Sequence, residues 1–227
     1  MVRRPKRFPK RRYELHAHTY LTDGELLPAE FLRRAEELEH EALVFTEHVD
    51  PSNLEDTVSR LAEACDALRG YYRTEPVPGA ELTHVPPDLI PELAEEARDN
   101  GARVVLVHGE TPAEPVKPGT NEAAAGCDAV DVLAHPGLID PETARMASEN
   151  GVALEITTKH GHCLANGWVV RVALETDAEL VLNTDAHLPE DLLKPEEAAT
   201  VAMGAGFPER MLKWVLEKVP RKILKKR

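Results

Sequence analysis

Short, continuously apolar runs alternate with stretches of helical spacing along nearly the whole chain. Ala42-Leu43-Val44-Phe45, Val104-Val105-Leu106-Val107, Val130-Asp131-Val132-Leu133-Ala134, Val152 to Ile156 and Leu180-Val181-Leu182 read as strands. Tyr13-Glu14-Leu15 and the Pro- and Gly-broken run Val77 to Leu82 bring the number to seven. Between them, Phe31, Leu32, Ala35 and Leu38 fall on one face of a helix predicted from Pro28 to about Glu41. Further helices are predicted from Leu54 to about Arg73, Pro87 to Asn100, Pro141 to Asn150, Trp168 to Thr176, Pro195 to about Ala205 and Pro208 to about Val219. Gly101 and Gly151 stand where a glycine ends a helix. Strands without polar alternation belong in a sheet covered on both faces, so the pattern predicts an α/β protein of mostly parallel strands.

The ends of these runs carry chemistry. His16-Ala17-His18, Asp23, His48, Glu81, His108, His135 and Asp185-Ala186-His187 are nine imidazoles and carboxylates, nearly all just beyond an apolar run. Zinc, iron and manganese take such groups from proteins. Residues i and i+2 of an extended strand point to one side, so His16 with His18, and Asp185 with His187, can each address one site. No GxGxxG or GxxxxGK[ST] follows the first strand, which removes the main signature of a nucleotide-binding open sheet. Closure into a seven-stranded (β/α) TIM-like barrel, a single domain, brings all the strand ends to one face. A multinuclear metal hydrolase is the expectation.

Charge sharpens this picture. Residues 1–12 carry seven Lys/Arg and no acid, and residues 218–227 carry six and no acid. The 205 residues between them keep 14 Lys/Arg against all 40 Asp/Glu, a formal charge of −26. The expected organisation is therefore a basic arm (1–12), a barrel (13–217) and a basic tail (218–227). An acidic barrel repels polyanions at long range, although bound cations reverse the sign locally. Cys65, Cys127 and Cys163, odd in number and irregularly spaced, are expected as reduced, mostly buried thiols. Trp168 and Trp214 are expected in the core. No apolar run reaches transmembrane length, as for a soluble cytoplasmic protein.

In order along the chain, His16-Ala17-His18-Thr19, Thr22-Asp23-Gly24, Thr46-Glu47-His48, Gly79-Ala80-Glu81, His108-Gly109, Ala134-His135-Pro136-Gly137 and Asp185-Ala186-His187 resemble the successive motifs of the PHP (polymerase and histidinol phosphatase) family. The likeness spans residues 13 to about 190 and is strongest to the small stand-alone histidinol-phosphatase-like hydrolases. It implies a distorted seven-stranded (β/α) barrel with two to three divalent ions of zinc, iron or manganese. It also implies a partition: His16, His18, Glu81 and Asp185 around the first ion, Glu81 bridging to a second on His108 and His135, and Asp23, His48 and His187 around a third. Glu47 stands where many members have Asp.

Ions about 3.5–4 Å apart hold a bridging hydroxide and clamp phosphoryl oxygens for in-line attack, so a phosphoesterase needs no serine or cysteine nucleophile. Asp185 and His187 are the catalytic candidates for delivering a proton to the leaving oxygen. Polar loops after the fourth and sixth strands supply candidates for binding substrate: Lys117, Lys159, His160, His162 and, on the following helix, Arg171. Lys159 is the first choice for a phosphate oxygen. His160-Gly161-His162-Cys163 also has spacing suited to a further metal, and Glu155, inside a buried run, is expected as a structural carboxylate of the barrel, with support of a ligand from behind as the alternative. The leading expectation is hydrolysis of a small phosphomonoester such as histidinol phosphate. A nuclease or nucleotide phosphatase using the basic termini on nucleic acid is the alternative. A non-catalytic barrel serving as a binding subunit, as in the barrel-shaped protein subunit of RNase P, is weighed against by the full ligand set. No membrane partner is expected, and the oligomeric state is left open.

Overall fold

Continuous apolarity in the strands translates into two buried layers. The computed structural model describes residues 5–226. Its strands are β1 (Arg12–Glu14), β2 (His40–Val49), β3 (Glu75–Leu82), β4 (Val104–His108), β5 (Val132–Ala134), β6 (Ala153–Thr157) and β7 (Leu180–Asn183). All neighbours pair in parallel, in sequence order from β1 to β7. Alternate residues of each strand divide between the barrel interior (Val44, Val77, Val104, Leu106, Val132, Val181) and the layer under the helices (Val105, Val107, Leu133, Leu154, Leu182). This is the two-faced burial that the pattern demands.

The helices are α1 (Pro28–Glu37), α2 (Leu54–Leu68), α3 (Ile90–Asp99), α4 (Thr120–Ala125), α5 (Pro141–Asn150), α6 (Asn166–Thr176), α7 (Pro195–Gly204) and α8 (Val219–Lys226). Among the described residues, none is long and apolar enough to cross a membrane. The barrel closes between β1 and β7 through a parallel bridge of Ala17 with Ala186, where His18 N donates to Ala186 O at 2.8 Å. Below it, the buried Glu14 carboxylate stitches the same seam. It accepts from Thr184 N at 3.0 Å, Thr184 Oγ1 at 2.9 Å and the Arg12 guanidinium at 2.7 Å.

Several elements depart from the sequence reading. α1 stops at Glu37, not near Glu41, because Glu39 turns left-handed (φ 62°) and starts β2 at His40. α2 ends at Leu68, two residues before Gly70 with φ 83°. Part of the polar loop after β4 folds as α4. In place of a helix over Pro208 to Val219 there is a 3₁₀ turn at Glu209–Met211 and a π-helical turn at Trp214–Lys218, which runs into α8. Residues 218–226, set apart by charge alone, thus include a helix whose Val219 and Ile223 join the barrel-interior cluster at the strand starts while its lysines face out. Residues 1–4 of the basic arm and Arg227 lie outside the described residues.

Both tryptophans correct the expectation of a core position. Trp168 is 37% exposed and Trp214 41%. Cations cover their faces, with Arg171 4.1 Å and Lys218 5.5 Å from the ring centroids, and Trp168 Nε1 donates to Ile139 O at 2.7 Å. An indole placed this way keeps its N–H satisfied without entering the core. The three cysteines are free thiols. Cys65 and Cys127 are buried and Cys163 partly so, and burial raises the Cys65 thiol to about 12.

Candidate metal centre

Register does much of the positioning. β2 pairs with β3 so that His48 lies opposite Glu81, and β4 pairs with β5 so that His108 lies opposite Ala134, one residue before His135. His16, His18 and Asp185 sit just beyond β1 and β7 at the closing bridge. The backbone bends sharply at two of these positions, with φ 28° at His135 and 52° at Asp185, a conformation that side chains other than glycine adopt only under constraint. Gly24 lets the loop carrying Asp23 fold against β1, since a Cβ there would lie 2.0 Å from His18 O. Glu47 then holds that loop, accepting from Thr19 N at 2.9 Å, Thr19 Oγ1 at 2.6 Å and Thr22 Oγ1 at 2.5 Å.

Two carboxylates sit at the middle. Glu81 Oε1 is 3.4 Å from His16 Nε2 and 3.7 Å from His135 Nε2, while its Oε2 is 3.6 Å from His18 Nε2 and 2.8 Å from His48 Nδ1. Asp185 Oδ1 is 3.2 Å from His18 Nε2 and 3.6 Å from His16 Nε2, and its Oδ2 is 3.7 Å from His135 Nε2. On the outer side, Asp23 Oδ1 lies 3.5 Å from His48 Nε2 and 3.3 Å from His187 Nε2. With His108, whose ring centroid is 4.5 Å from that of His135, all nine expected ligands lie at one mouth of the barrel.

Their donor atoms form overlapping groups within 4.8 Å. One is His18, Asp23, His48 and His187. A second is His16, His18 and Asp185, a third His16, Glu81 and His135, and a fourth His108, His135 and His162. The groups suit a cation for a physical reason. His16 Nε2, His18 Nε2, His135 Nε2, Asp185 Oδ1 and both Glu81 oxygens are buried and approach one another closely, yet none makes a hydrogen bond of good geometry among the described residues. Buried polar atoms left so are costly and rare in proteins. Converging here on one small volume, they match the donor set of a divalent ion.

Ionisation tells the same story. Burial opposes charge on Glu81 and Asp185, yet nearby histidines outweigh it and hold both carboxyls well below the ordinary range. Burial likewise opposes the His16 imidazolium, but Glu155, Glu81 and Asp185 raise it well above its usual value, and Glu81 and Asp23 raise His48 to about 10. Burial instead lowers His18 to about 3 and His135 well below the usual range. The carboxylates demand positive charge, and among the groups in contact with Glu81 it is protons on selected histidines that provide it.

Glu155 supports the centre from β6. It accepts from His16 Nδ1 at 2.9 Å, His135 N at 3.1 Å and Asn183 Nδ2 at 2.7 Å. That fixes His16 with Nε2 facing inward, as carboxylate–histidine pairs do behind metal ligands. Lys159 reaches the centre, with Nζ 2.6 Å from His187 Nδ1, and donates to Asp185 O at 3.4 Å. His162 is buried beside His108 and His135, whereas Lys117 and His160 are exposed on their loops and Arg171 lies over Trp168. Two residues join that sequence reading missed: Glu114 Oε2 is 3.0 Å from His84 Nε2 and 3.2 Å from His108 Nε2. His84 follows Glu81 by three residues and Glu114 lies in the polar loop searched only for cations, so both were within reach of the same strand-end search.

No protein-family model matches the chain. It is 44% identical over 216 residues to the uncharacterized protein MJ1295 of Methanocaldococcus jannaschii, covering 95% of this chain and 99% of that protein. It is 31% identical over 166 residues to Ribonuclease P protein component 3 of Methanosarcina mazei, 65% of each chain. Among solved structures it is similar to a chain of archaeal Ribonuclease P with mature tRNA, at TM-score 0.69 and 18% identity, covering 94% and 90% of the two chains. A candidate histidinol phosphatase, hisK of Listeria monocytogenes, aligns at TM-score 0.57 and 11% identity, covering 79% and 97%. Identities this low speak for the fold alone, a parallel seven-stranded (β/α) barrel.

Proposed function

We propose a function for a chain that belongs to the family of the uncharacterized protein MJ1295: it is a metal-dependent phosphoesterase acting on a small phosphomonoester. One observation carries this reading, the convergence of buried, unpartnered imidazole and carboxylate atoms at the mouth of the barrel. The ligands are His16, His18, Asp23, His48, Glu81, His108, His135, Asp185 and His187, holding two to three ions of zinc, iron or manganese. Bound there, such ions supply an activated water at neutral pH and neutralise charge on phosphoryl oxygens.

The chain's own residues do the rest. Glu155 keeps the His16 tautomer, and Glu47 keeps the Asp23 loop closed over the outer group. Lys159 is the phosphate contact: in an acidic barrel it is a cation already at the centre, beside His187. His187 is the group assigned to hand a proton to the leaving oxygen, with the ionised Asp185 carboxylate, 3.4 Å from its Nδ1, as its partner. Lys117, His160 and Arg171 are left as outer contacts for the remainder of the substrate, Lys117 and His160 being exposed on their loops.

The likeness to Ribonuclease P components favours a second reading, a barrel that binds RNA or partner proteins without turnover. Metal analysis on tag-free protein purified without chelator, together with a panel of phosphomonoesters and oligonucleotides, separates the two. Two to three ions per chain with monoester turnover supports the phosphoesterase. Metal with turnover of oligonucleotides alone points to a nuclease, and no metal after reconstitution points to the binding subunit.

A further inference from the structure

We propose that His162 is a direct metal ligand, completing with His108 and His135 a three-imidazole position suited to zinc. The inference rests on the metal-centre reading above and adds a tenth ligand to it. The donor atoms of the three histidines lie within 4.8 Å of one another, and the residues are 3%, 2% and 7% exposed. The His162 ring centroid is 4.3 Å from that of His135 and 5.6 Å from that of His108.

Local structure aims this ring. Gly161 takes φ 87°, which lets the chain turn so that His160 faces solvent and His162 faces inward. Thr111 Oγ1 lies 2.7 Å from His162 Nδ1. With Nδ1–H donating to that hydroxyl, the Nε2 lone pair points toward the group, the orientation that outer partners impose on ligating histidines. His162 Nε2 is also 3.5 Å from Glu114 Oε1, and Glu114 Oε2 is 3.2 Å from His108 Nε2. The loops after β4 and β6 are thus clasped together over this position.

The donor set differs in kind from the rest of the centre. Around His16 and His18 the ligands are mixed with the Glu81 and Asp185 carboxylates, a set that accepts manganese or iron as well as zinc. A set of three imidazoles would favour zinc.

Titration of chelator-stripped, full-length protein with Co²⁺, read by its visible absorption and followed by zinc competition, tests this. The wild type is measured first: if it takes up no metal, the metal-centre reading itself fails. If it does, His162→Ala is expected to lose one equivalent, or to bind it more weakly by more than the ~10–100-fold that loss of an outer partner costs. Thr111→Val, which keeps the imidazole, is expected to weaken the same equivalent by about 10–100-fold. Cys163→Ser, next to His162, is expected to bind as the wild type does. Unchanged stoichiometry and affinity in His162→Ala overturns the proposal while the metal centre stands. Should His162→Ala fail to fold, unchanged affinity in Thr111→Val overturns it equally.

Discussion

The barrel buries carboxylates in two regions and neutralises them in opposite ways. At the β1–β7 seam Glu14 is held by the Arg12 guanidinium and by Thr184, and at the start of β5 Asp131 is held by Arg98 and Val105 N. At the mouth, Glu81 and Asp185 face imidazoles and keep unpartnered oxygens. A guanidinium never gives up its proton in a protein, so the first arrangement is permanent. An imidazole does give it up, so the second can exchange protons for metal ions. The carboxylates that brace the fold are satisfied from within the chain, whereas those at the mouth keep oxygens that a ligand can satisfy.

The sharpest way to break the contrast is Asp185→Asn. It is expected to lower kcat for a phosphomonoester by about 10²–10⁴-fold, the range for loss of support to proton transfer, with the fold retained by circular dichroism. Wild-type turnover in this variant would remove Asp185 from the chemistry. Next in size is Glu14→Gln, which strands a buried guanidinium and is expected to cost about 3–5 kcal/mol in urea denaturation, equally with and without metal. A cost that appears only when metal is stripped would mean that the two regions are not independent.

Glu155→Gln lies between the regions, being fully satisfied yet bonded to a ligand. It is expected to weaken metal binding by about 10–100-fold in a chelator competition, with turnover recovered at high metal concentration. The pH response sharpens the comparison further. His16 and His48 are raised in the folded protein, His48 to about 10, so their stabilisation is complete below pH 6.5 and is lost as pH rises toward their folded values. The melting temperature of metal-free protein should therefore fall between pH 6.5 and 9, while apparent metal affinity rises over the same range; a flat profile for both would contradict the exchange of protons for metal. The smallest effect is expected for Trp168→Ala, about 1 kcal/mol of stability and no change in metal affinity, because its ring lies under Arg171 at the surface.

Much of this was legible beforehand for reasons specific to the residues. Val104 to Val107 could only be a strand buried on both faces, and His108 after it could only lie at the mouth. Where reading failed, a nonlocal partner or a single backbone angle decided. The helical spacing through Trp214 is real, but the segment ends as a π-turn whose indole takes Lys218 instead of the core. The helix pattern through Glu41 was cut by one left-handed residue, Glu39, before a strand that pairs with two others. The loop after β4 looked like a source of cations for substrate, and its acid, Glu114, is what reaches the histidines.

The amino-acid order alone determined the number of strands, their parallel sense and the chemistry at their ends, because burial on two faces and the direction of a strand are written in local apolar periodicity. The tertiary structure decided the partnerships: His48 beside Glu81, Glu155 behind His16, Lys159 against His187, and His162 with His108 and His135. Those depend on strand register, on the closing bridge at Ala17 and Ala186, and on how far each loop bends over the mouth. None of these has a period that a sequence can display, since each is set by packing between segments tens of residues apart.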